Sequence, residues 1–261
     1  MYAPLQLFHV QRIGEKSMRD RRFSRTEMLL GRAAVERLAA VSVVVFGVGG
    51  VGSYAAEALA RAGVGRMTLV DHDVIDVTNI NRQIHALTET VGAPKVETMA
   101  QRIHSINPSC EVRVTRAFYR PEEAERFFSE CYDYALDAVD TVTAKIDIAV
   151  QCHRRGIPLI ASMGAANKLD PTLFEVMDIY RTKGDPLARI LRKKLKEHGV
   201  PRLKVVCSRE RPRKSEAGEA QSDAGRSSIP ASISFVPSVA GLIMAGAVVR
   251  DLLHIRVEVS S

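Results

Sequence analysis

The chain has 261 residues and a formal net charge of +7, and this length is enough to bury a full core. We predict one α/β domain with elaborations in preference to one domain plus a small lobe. The four cysteines form no C-x-x-C pair, which indicates neither a disulfide framework nor a structural zinc site. No apolar run reaches the roughly 18 to 20 residues of a membrane helix, and the N-terminus lacks a signal-peptide pattern. We therefore expect a cytoplasmic protein without a membrane span.

The positive charge is concentrated in one part of the chain. Between Arg181 and Lys214 there are thirteen Lys or Arg and three acidic residues, so this stretch carries +10 and the remainder carries −3. Such a block is either a solvated face or a surface for a polyanion such as nucleic acid. Composition alone leaves both interpretations open.

Predicted strands and helices alternate from Val41 onward. In chain order the pattern predicts a strand from Val41, a helix at 53–62, a strand at 66–71, a long polar loop, a helix at 95–105, a strand at 111–115, a helix at 121–128, a strand at 134–138, a helix at 143–155 and a strand at 158–162. Such alternation is typical of a doubly wound, mostly parallel sheet with right-handed crossovers. The predicted fold class is therefore α/β and Rossmann-like.

The pattern changes after Gly164. We predict C-terminal additions to the sheet, namely a strand at 172–178, a basic helix at 186–197 and a strand at 203–208. Helical spacing turns the apolar residues of the basic helix inward, so its Lys and Arg side chains face water or a partner. A final apolar helix begins at Pro237 and runs to about Leu252, and we expect it to be too short for a bilayer and to pack on the core or a second subunit.

These elements give the predicted domain organisation. Residues 1–20 show no sustained period and are predicted to be a loosely ordered extension, whereas residues 21–261 form the single domain. This domain contains a basic segment at 181–208 and a polar loop at 209–228. The composition of that loop cannot offset the entropy of ordering, so we expect it to be mobile.

A glycine-rich turn at 47–52 is the most informative motif in the chain. Gly47, Gly49 and Gly52 fit G-x-G-x-x-G, in which the first glycine permits a tight turn, the second lets a diphosphate approach the backbone, and the third lets the helix pack close to the strand. Free N–H groups at the helix start then face the anion. The motif alone is weak evidence, because a glycine-rich turn also serves ordinary strand–helix packing.

The residues after the second strand distinguish between nucleotides. Asp71 ends that strand, where a carboxylate can accept hydrogen bonds from both ribose hydroxyls, as it also would in a dehydrogenase. Nicotinamide binding has no need of the following stretch, DHDVIDVTNINRQ at 71–83, or of Lys95 at a predicted helix start. An Arg and a Lys that converge on the glycine turn suit a triphosphate, whose charges need cationic partners. Asp140, after the fourth strand, is placed to hold magnesium.

With these residues the chain resembles the ubiquitin-activating-enzyme-like (E1-like) adenylating superfamily, whose signature it follows from Gly47 through Asp140. Within that superfamily it is most similar to the tRNA threonylcarbamoyladenosine dehydratases. The segments that carry this likeness are FSRTEMLLG at 23–31, NRQIHAL at 81–87, GAA at 164–166, DPLA at 185–188 and FVPSVAG at 235–241. The resemblance implies ATP-dependent adenylation of the threonyl carboxylate of N6-threonylcarbamoyladenosine in tRNA. Internal attack then closes a ring and releases AMP, with overall loss of water.

The resemblance also implies which residues form the site. The glycine turn, the ribose contact and the residues around the triphosphate would be Gly47, Gly49, Gly50, Gly52, Asp71, Asp73, Asn81, Arg82, Gln83 and Lys95. Arg82, Lys95 and Asp140 would be catalytic, with Asp140 as the ligand of Mg²⁺. An N-terminal arginine in this superfamily often crosses a dimer interface to the γ-phosphate, and Arg25 is the candidate, although Arg22 is close by. The implied cofactors are ATP and Mg²⁺, and the implied partners are a tRNA substrate, a second subunit and a sulfur-transfer protein.

Two other functions remain as alternatives. Relatives that adenylate the C-terminus of a ubiquitin-like sulfur carrier commonly have two C-x-x-C zinc pairs, which are absent here, so tRNA modification is favoured. A non-catalytic nucleotide-sensing module is disfavoured because Arg82, Lys95 and Asp140 are all present. Some relatives use a cysteine as acyl acceptor, but Cys207 follows an apolar pattern typical of a buried strand thiol.

Several neighbouring residues are interpreted as structural. His72 and His85 flank the triphosphate stretch and are predicted to pack, since nothing in the mechanism needs an imidazole. Asp137 either shares the metal or ends its strand buried against a backbone N–H, and it is the weaker candidate of the two carboxylates. Lys95 could be an ordinary surface lysine in a first helical turn, but its place after the 81–83 stretch favours a role with ATP.

Overall fold

The protein is described by a computed structural model that covers residues 21–213 and 231–257. Within these residues, seven strands form one sheet in the order β3-β2-β1-β4-β5-β7-β6. They are β1 Ser42–Phe46, β2 Arg66–Val70, β3 Glu111–Thr115, β4 Tyr134–Asp137, β5 Leu159–Ser162, β6 Phe174–Asp178 and β7 Lys204–Ser208. Neighbouring strands are parallel except β6 and β7, which are antiparallel and extend the sheet beyond β5. The predicted α/β, doubly wound sheet with C-terminal additions is confirmed.

Helices cover both faces of this sheet. In chain order the described α-helices are α1 Ser24–Leu30, α2 Arg32–Ala40, α3 Gly52–Ala62, α4 Lys95–Ile106, α5 Ala124–Phe127, α6 Val142–Arg155, α7 Pro186–Glu197 and α8 Phe235–Leu253. Alternate residues of β1 point to different layers, because side chains of a strand alternate between faces. Val43 and Val45 pack with α3, α4 and α8, whereas Val44 and Phe46 pack with α5 and α6. α7 packs against α6 through Leu191 and Leu195, so α7 and α3 lie on opposite faces.

The N-terminal helices were not predicted from the sequence. α1 and α2 occupy 24–40, where no element was expected. Met28 and Leu29 of α1 are 77% and 82% exposed, and Leu38 is the one residue of α2 that is fully buried. These helices therefore lack the broad apolar stripe by which an amphipathic helix is recognised.

The polar connections also differ from the prediction. The loop between β2 and α4 contains short 3₁₀ turns at Val77–Asn79 and Thr88–Thr90, and the predicted helix at 121–128 divides into a 3₁₀ turn at Pro121–Glu123 and the short helix α5. Such turns are set by capping side chains rather than by apolar period. Asp76, for example, accepts a hydrogen bond from the backbone N–H of Thr78 at 2.8 Å.

The prediction for the last helix was wrong in length. α8 spans 19 residues because Phe235 and Val236 precede the proline at which it was expected to start, and by length and composition it could cross a membrane. In this fold 56% of that apolar stretch is buried. A Cβ on Gly241 would lie 2.3 Å from the carbonyl oxygen of Val51, so α8 lies directly against the start of α3. α8 is therefore packed as a core helix.

Part of the predicted mobile loop is held in place. Glu210 accepts hydrogen bonds from the backbone N–H groups of Leu169 and Asp170, at 2.9 and 2.8 Å, and Arg213 donates from its backbone N–H to the carbonyl of Asn167 at 2.7 Å. Hydrogen bonds through the Glu210 carboxylate and the Arg213 backbone thus order 209–213 without apolar burial, which corrects the prediction for these residues. Residues 214–228 of the predicted loop, and the predicted extension at 1–20, lie outside the described residues.

Candidate active site

The glycine turn lies where the carboxyl ends of β1, β2 and β4 meet. Gly47 donates from its N–H to Val70 of β2 at 2.8 Å, and its φ of +83° is a conformation that disfavours a side chain. A Cβ on Gly52 would lie 1.9 Å from the Gly47 carbonyl oxygen. The first and third glycines of the motif therefore close the turn. β1 pairs with β2 on one side and with β4 on the other, so the order of the strands reverses direction at β1. Ligands of doubly wound folds bind at such a switch point.

The middle of the turn is open. Among the described residues, a Cβ on Gly49 would have one neighbour within 4 Å, Nε2 of Gln83 at 3.9 Å, whereas a Cβ on Gly50 would meet Pro237 of α8 at 3.2 Å. The backbone N–H groups of Gly49, Gly50 and Val51 bond no described residue. Unpaired donors ahead of a helix N-terminus are the arrangement that binds phosphate. The turn is thus able to cradle a diphosphate.

Asp71 connects the glycine turn to the loop after β2. Its Oδ2 accepts from the backbone N–H of Val48 at 2.7 Å, and its Oδ1 accepts from the N–H of Asp73 at 2.9 Å. The carboxylate is partly exposed and keeps free lone pairs, since an ionised carboxylate has about four acceptor sites. Its position beside the turn fits the predicted contact with ribose.

Lys95 is buried, in contrast to an ordinary surface lysine. It is the first residue of α4, and its Nζ lies 2.7 Å from Oδ2 of Asp73, while its backbone N–H donates to the Asp73 carbonyl at 3.1 Å. The Lys95 side chain is 7% exposed, whereas that of Asp73 is 47% exposed. Asp73 therefore fixes the position of the Lys95 ammonium group. A direct contact of Asp73 with phosphate is less favourable, because the carboxylate and the phosphate are both anionic.

The predicted amide and guanidinium residues lie beside the glycine turn with different contacts. Arg82 donates from Nη1 to the carbonyl of Thr78 at 2.8 Å and to Oδ1 of Asn81 at 3.0 Å, which leaves Nε and Nη2 without a described partner. Asn81 donates from Nδ2 to the carbonyl of Ser232 at 3.1 Å. Asn81 thus braces Arg82 against the segment before α8, and Arg82 keeps donors for a phosphate.

Two buried polar atoms next to the turn have no described partner. They are Oε1 of Gln83 and Nδ1 of His85. His85 bonds the Val48 carbonyl through Nε2 at 2.7 Å, and because a carbonyl only accepts, Nε2 carries the proton. Burial lowers the pKa of His85, so the neutral form is favoured. Nδ1 of His85 and Oε1 of Gln83 are therefore acceptors that are available to water or to ligand donors. This role was not predicted for His85, which was expected only to pack.

The two carboxylates after β4 have separate roles. Asp137 is buried and accepts from Nζ of Lys145 at 3.0 Å on both oxygens and from the N–H of Val139 at 3.1 Å. Burial raises the pKa of Asp137, and the ion pair with Lys145 opposes that effect. Asp140 is exposed, and Thr141 Oγ1 at 3.3 Å is its single described bond. Asp140 is thus the carboxylate that remains free for a metal, and Lys145 is a buried partner that was not predicted because only tertiary contact identifies it.

Arg25 does not join these residues. It is exposed on α1 and makes no hydrogen bond or ion pair with a described residue. Phe23, two residues earlier, lies 3.6 Å from a Cβ position on Gly63, which follows the last residue of α3. Because α3 starts at the glycine turn and has 11 residues, its far end is about 16 Å from the turn. Within one chain the site is formed without Arg25, and its role in a dimer stays a prediction.

Part of the basic segment forms the exposed side of α7. Arg189, Lys193, Lys194 and Lys196 are exposed, whereas Arg192 is half-buried and donates from Nη1 to the Thr182 carbonyl at 3.0 Å. Asp185 caps the helix by accepting from the N–H of Ala188 at 2.8 Å. The segment is thus a rigid, cationic surface.

Cys207 lies on β7 and is buried, as predicted. Burial raises the pKa of its thiol to about 11, so little thiolate is present at neutral pH. This environment suits a packed side chain and disfavours an acyl acceptor.

Comparison with known proteins identifies the family. The model of the ThiF family matches residues 23–260. The chain belongs to the ThiF family. Among curated ThiF relatives, the tRNA threonylcarbamoyladenosine dehydratase of Bacillus subtilis is 50% identical over 239 residues, which cover 88% of this chain and 94% of the relative. The predicted resemblance to the E1-like superfamily, and to these dehydratases within it, is confirmed.

Solved structures of the ThiF fold agree. Escherichia coli tRNA N6-threonylcarbamoyladenosine dehydratase in complex with AMP is 37% identical with a TM-score of 0.82, and the match covers 90% of this chain and 95% of that chain. The same protein in complex with ATP has a TM-score of 0.81 at 36% identity, again with 90% and 95% covered. A more distant ThiF-type relative, the molybdopterin-synthase adenylyltransferase of Escherichia coli, is 32% identical over 60% of this chain and 61% of the relative.

Proposed function

We propose that this chain is an ATP-dependent tRNA threonylcarbamoyladenosine dehydratase that activates the threonyl carboxylate by adenylation. The observation that carries the proposal is the continuous set of contacts from the N–H of Val48 through Asp71 and Asp73 to Lys95. It puts a buried cation next to a turn with free N–H donors. The close relatives with this activity, and the AMP and ATP complexes of one of them, support the same conclusion.

The residues of the site suit adenylation. A carboxylate is a poor electrophile until its oxygen belongs to a good leaving group. Its attack on the α-phosphorus of ATP forms an acyl–adenylate anhydride and expels pyrophosphate. Arg82 and Lys95 would stabilise the charge that develops on the leaving pyrophosphate, and the N–H groups at 49–51 would hold the phosphates. Internal attack by the carbamoyl group on the activated carbonyl then releases AMP, so one water is lost overall without an enzyme nucleophile.

Magnesium belongs to the proposal because of Asp140. This carboxylate is free, follows β4 beside the glycine turn, and offers the oxygen ligand that Mg²⁺ prefers. Asp137 is not available in the same way because it is paired with Lys145. Bound Mg²⁺ would neutralise phosphate charge during the transfer.

The tRNA would contact the basic segment 181–208. Its exposed Lys and Arg side chains lie on α7, whose capping residue Asp185 forms an ion pair through Oδ2 with Nζ of Lys168 at 3.4 Å. This buried ion pair fixes the start of the cationic helix α7 next to the edge of the sheet. Phosphate contacts from such a surface provide affinity without base specificity.

Other parts of the proposal follow from the family. A homodimer would allow Arg25 to reach the γ-phosphate of the partner's site, and the exposed Met28 and Leu29 of the same helix would suit such an interface. A cytoplasmic location, the absence of a membrane span and a sulfur-transfer partner are likewise expected of a tRNA-modifying relative. The packing of α8 on the core supports the expectation that the chain has no membrane span.

Adenylation of a sulfur-carrier protein is the second candidate function. It is favoured by the same nucleotide site and by the molybdopterin-synthase adenylyltransferase relative, but that relative is much less similar than the dehydratases. The two functions differ in the acid that triggers pyrophosphate release, which is a tRNA nucleoside in one and a protein C-terminus in the other.

A direct assay tests the proposal. Purified protein with ATP, magnesium and tRNA bearing N6-threonylcarbamoyladenosine should convert that nucleoside to a product lighter by one water, measured by mass spectrometry of the digested tRNA. Lys95→Ala should lose most of its activity in this assay, whereas Arg126→Ala, an exposed arginine of α5 outside both the nucleotide site and the basic segment, should convert substrate. An unchanged nucleoside mass with wild-type protein that binds ATP would refute the dehydratase activity. Pyrophosphate exchange driven by a sulfur carrier without tRNA would favour the alternative.

A further inference from the structure

A cluster of charged residues outside the nucleotide site joins α3 and α4. Glu57 of α3 is bound by two arginines, Arg61 one turn along the same helix and Arg102 on α4. Each guanidinium uses Nε and Nη2 for this contact. The Glu57 side chain is 7% exposed, whereas Arg61 is 59% and Arg102 is 35% exposed. The carboxylate is therefore buried and orients one exposed and one half-buried cation.

The cluster keeps a positive excess. Burial raises the pKa of Glu57, but the hydrogen bonds from Arg102 and Arg61 outweigh it and hold that pKa below its ordinary value of 4.5. Glu57 is thus ionised at neutral pH and cancels one of the two charges. A third cation, Arg22, lines the same groove, which has a volume of about 490 Å³ and is bordered by Arg22, Phe23, Arg61, Arg102, Ser105 and Ile106.

Donors remain for a ligand. Nη1 of Arg61 and Nη1 of Arg102 bond no described residue, and neither does the guanidinium of Arg22. A guanidinium has five N–H donors in a planar fork that matches phosphate oxygens. Three such groups around an open groove, with one neutralising carboxylate behind them, form a pre-organised anion surface.

The groove lies within reach of the nucleotide site. α3 and α4 begin at Gly52 and Lys95, so Arg61 and Arg102 lie about 13 Å and about 10 Å along helices that start at the glycine turn and the buried lysine. The groove is on the sheet face opposite α7. An RNA that places one base at the edge of the sheet has backbone on both sides of that base, and α7 packs on the face opposite the one that carries the groove.

We propose that Arg22, Arg61 and Arg102 bind backbone phosphates of the substrate RNA, on the flank of the modified base opposite to the flank that contacts α7. The inference rests on the proposed function and adds a second phosphate-binding surface to it. Each phosphate contact contributes about 0.7 to 0.9 to the slope of log affinity against log salt, which corresponds to about five- to eightfold in affinity at 0.1 M salt.

The test measures tRNA binding by fluorescence anisotropy between 50 and 200 mM KCl. The variants are Arg22→Gln, which leaves both arginine partners of Glu57 in place, and the double variant Arg61→Gln with Arg102→Gln. The matched control is Arg120→Gln with Arg126→Gln, two arginines that are 59% and 58% exposed and share Glu123 on the other face of the sheet. We expect each groove variant to weaken tRNA binding about fivefold or more and to flatten its salt dependence, with ATP affinity unchanged.

Three results would overturn the inference. The first is that the groove variants show the same tRNA affinity and salt slope as the control variant. The second is that they change ATP affinity alone. The third is that Arg22→Gln binds tRNA normally when the double variant fails to fold. The dehydration assay on wild-type protein separates the two proposals. If wild-type protein dehydrates the nucleoside while the groove variants bind tRNA normally, only the phosphate groove is refuted, whereas wild-type inactivity refutes the function.

Discussion

The ammonium of Lys95 lies 2.7 Å from Oδ2 of Asp73, at the first residue of the helix that follows the nucleotide-site loop. Lys95 is buried and Asp73 is half exposed, so the pair fixes a buried ammonium group through a carboxylate that stays open to solvent. A cation near the N-terminus of a helix interacts unfavourably with the helix dipole and lowers local stability. A role of Lys95 in binding phosphate explains why the residue stands there.

Removal of Lys95 should impair chemistry more than folding. Lys95→Ala is expected to lower the rate of pyrophosphate release by about 10²- to 10³-fold, because a donor to the developing charge is absent. Asp73→Asn keeps the lysine and loosens its position, so a smaller loss is expected. Single-turnover pyrophosphate release is the measurement, with thermal melting as the check on folding. Wild-type rates for Lys95→Ala would show that the lysine is structural.

The two carboxylates after β4 should respond in opposite ways. Asp140→Ala is expected to abolish turnover and to leave the melting temperature unchanged, because the residue is exposed and has one weak bond to the part of the chain that the structure describes. Asp137→Ala leaves Lys145 buried without its partner and should cost about 3–5 kcal/mol of unfolding free energy. Chemical denaturation of both variants checks this. Unfolding of the Asp140 variant would assign that residue a structural role.

Glycine substitutions should separate turn geometry from ligand access. Gly52→Ala puts a Cβ 1.9 Å from the Gly47 carbonyl oxygen and should destabilise the protein, whereas Gly49→Ala meets no described atom closer than 3.9 Å and should fold normally. We expect Gly49→Ala to weaken ATP binding about tenfold or more, since the methyl group occupies the approach of the diphosphate. Isothermal titration calorimetry with ATP measures this effect. An unchanged affinity would show that the phosphates do not bind next to Gly49.

His85 should make stability depend on pH. Its pKa is lowered by burial, so the unfolded chain takes up a proton near pH 6.5 while the folded chain does so only at lower pH. The contribution of His85 is thus present in full above about pH 6.5 and is lost as the pH falls towards the folded pKa, by at most about 1.4 kcal/mol per pH unit. Urea unfolding at pH 7.5, 6.5 and 5.5 should show a smaller pH dependence for His85→Gln than for wild type. His104→Gln, which removes an exposed imidazole from α4, is the matched control, and equal slopes for all three proteins would contradict the prediction.

Charge removal on α7 should act on tRNA and spare ATP. Lys193→Gln with Lys196→Gln removes two exposed charges and is expected to flatten the salt dependence of tRNA binding, by about 0.7 to 0.9 for each phosphate that the variant no longer binds. Arg192→Gln should in addition loosen the helix, because Arg192 holds the Thr182 carbonyl. Salt titration of tRNA binding by fluorescence anisotropy measures the slope. A slope unchanged in the Lys193 and Lys196 variant would identify this face as merely solvated.

The sequence by itself determined the doubly wound layout of the sheet and singled out most residues of the candidate nucleotide site. Alternation of apolar strands with helical periods specifies a parallel doubly wound fold, because each strand of such a sheet needs a crossover helix. The glycines of the turn are encoded locally, since Gly47 needs a positive φ and Gly52 a missing Cβ. Arg82 and Lys95 could be found in the same way, from their place after the second strand.

Only the tertiary structure decided which charged groups are held and which are free. The sequence favoured Asp140 over Asp137 as the metal ligand, but the ion pair that holds Asp137, with Lys145 of the next helix, is visible only in the tertiary structure. His85 reaches the Val48 carbonyl across 37 positions of chain, and Arg102 reaches Glu57 across 45. α1 and α2 escaped prediction because they bury so little apolar surface that no period marks them. Burial and long-range contact set the charge and freedom of a side chain, and neither is a property of its sequence neighbours.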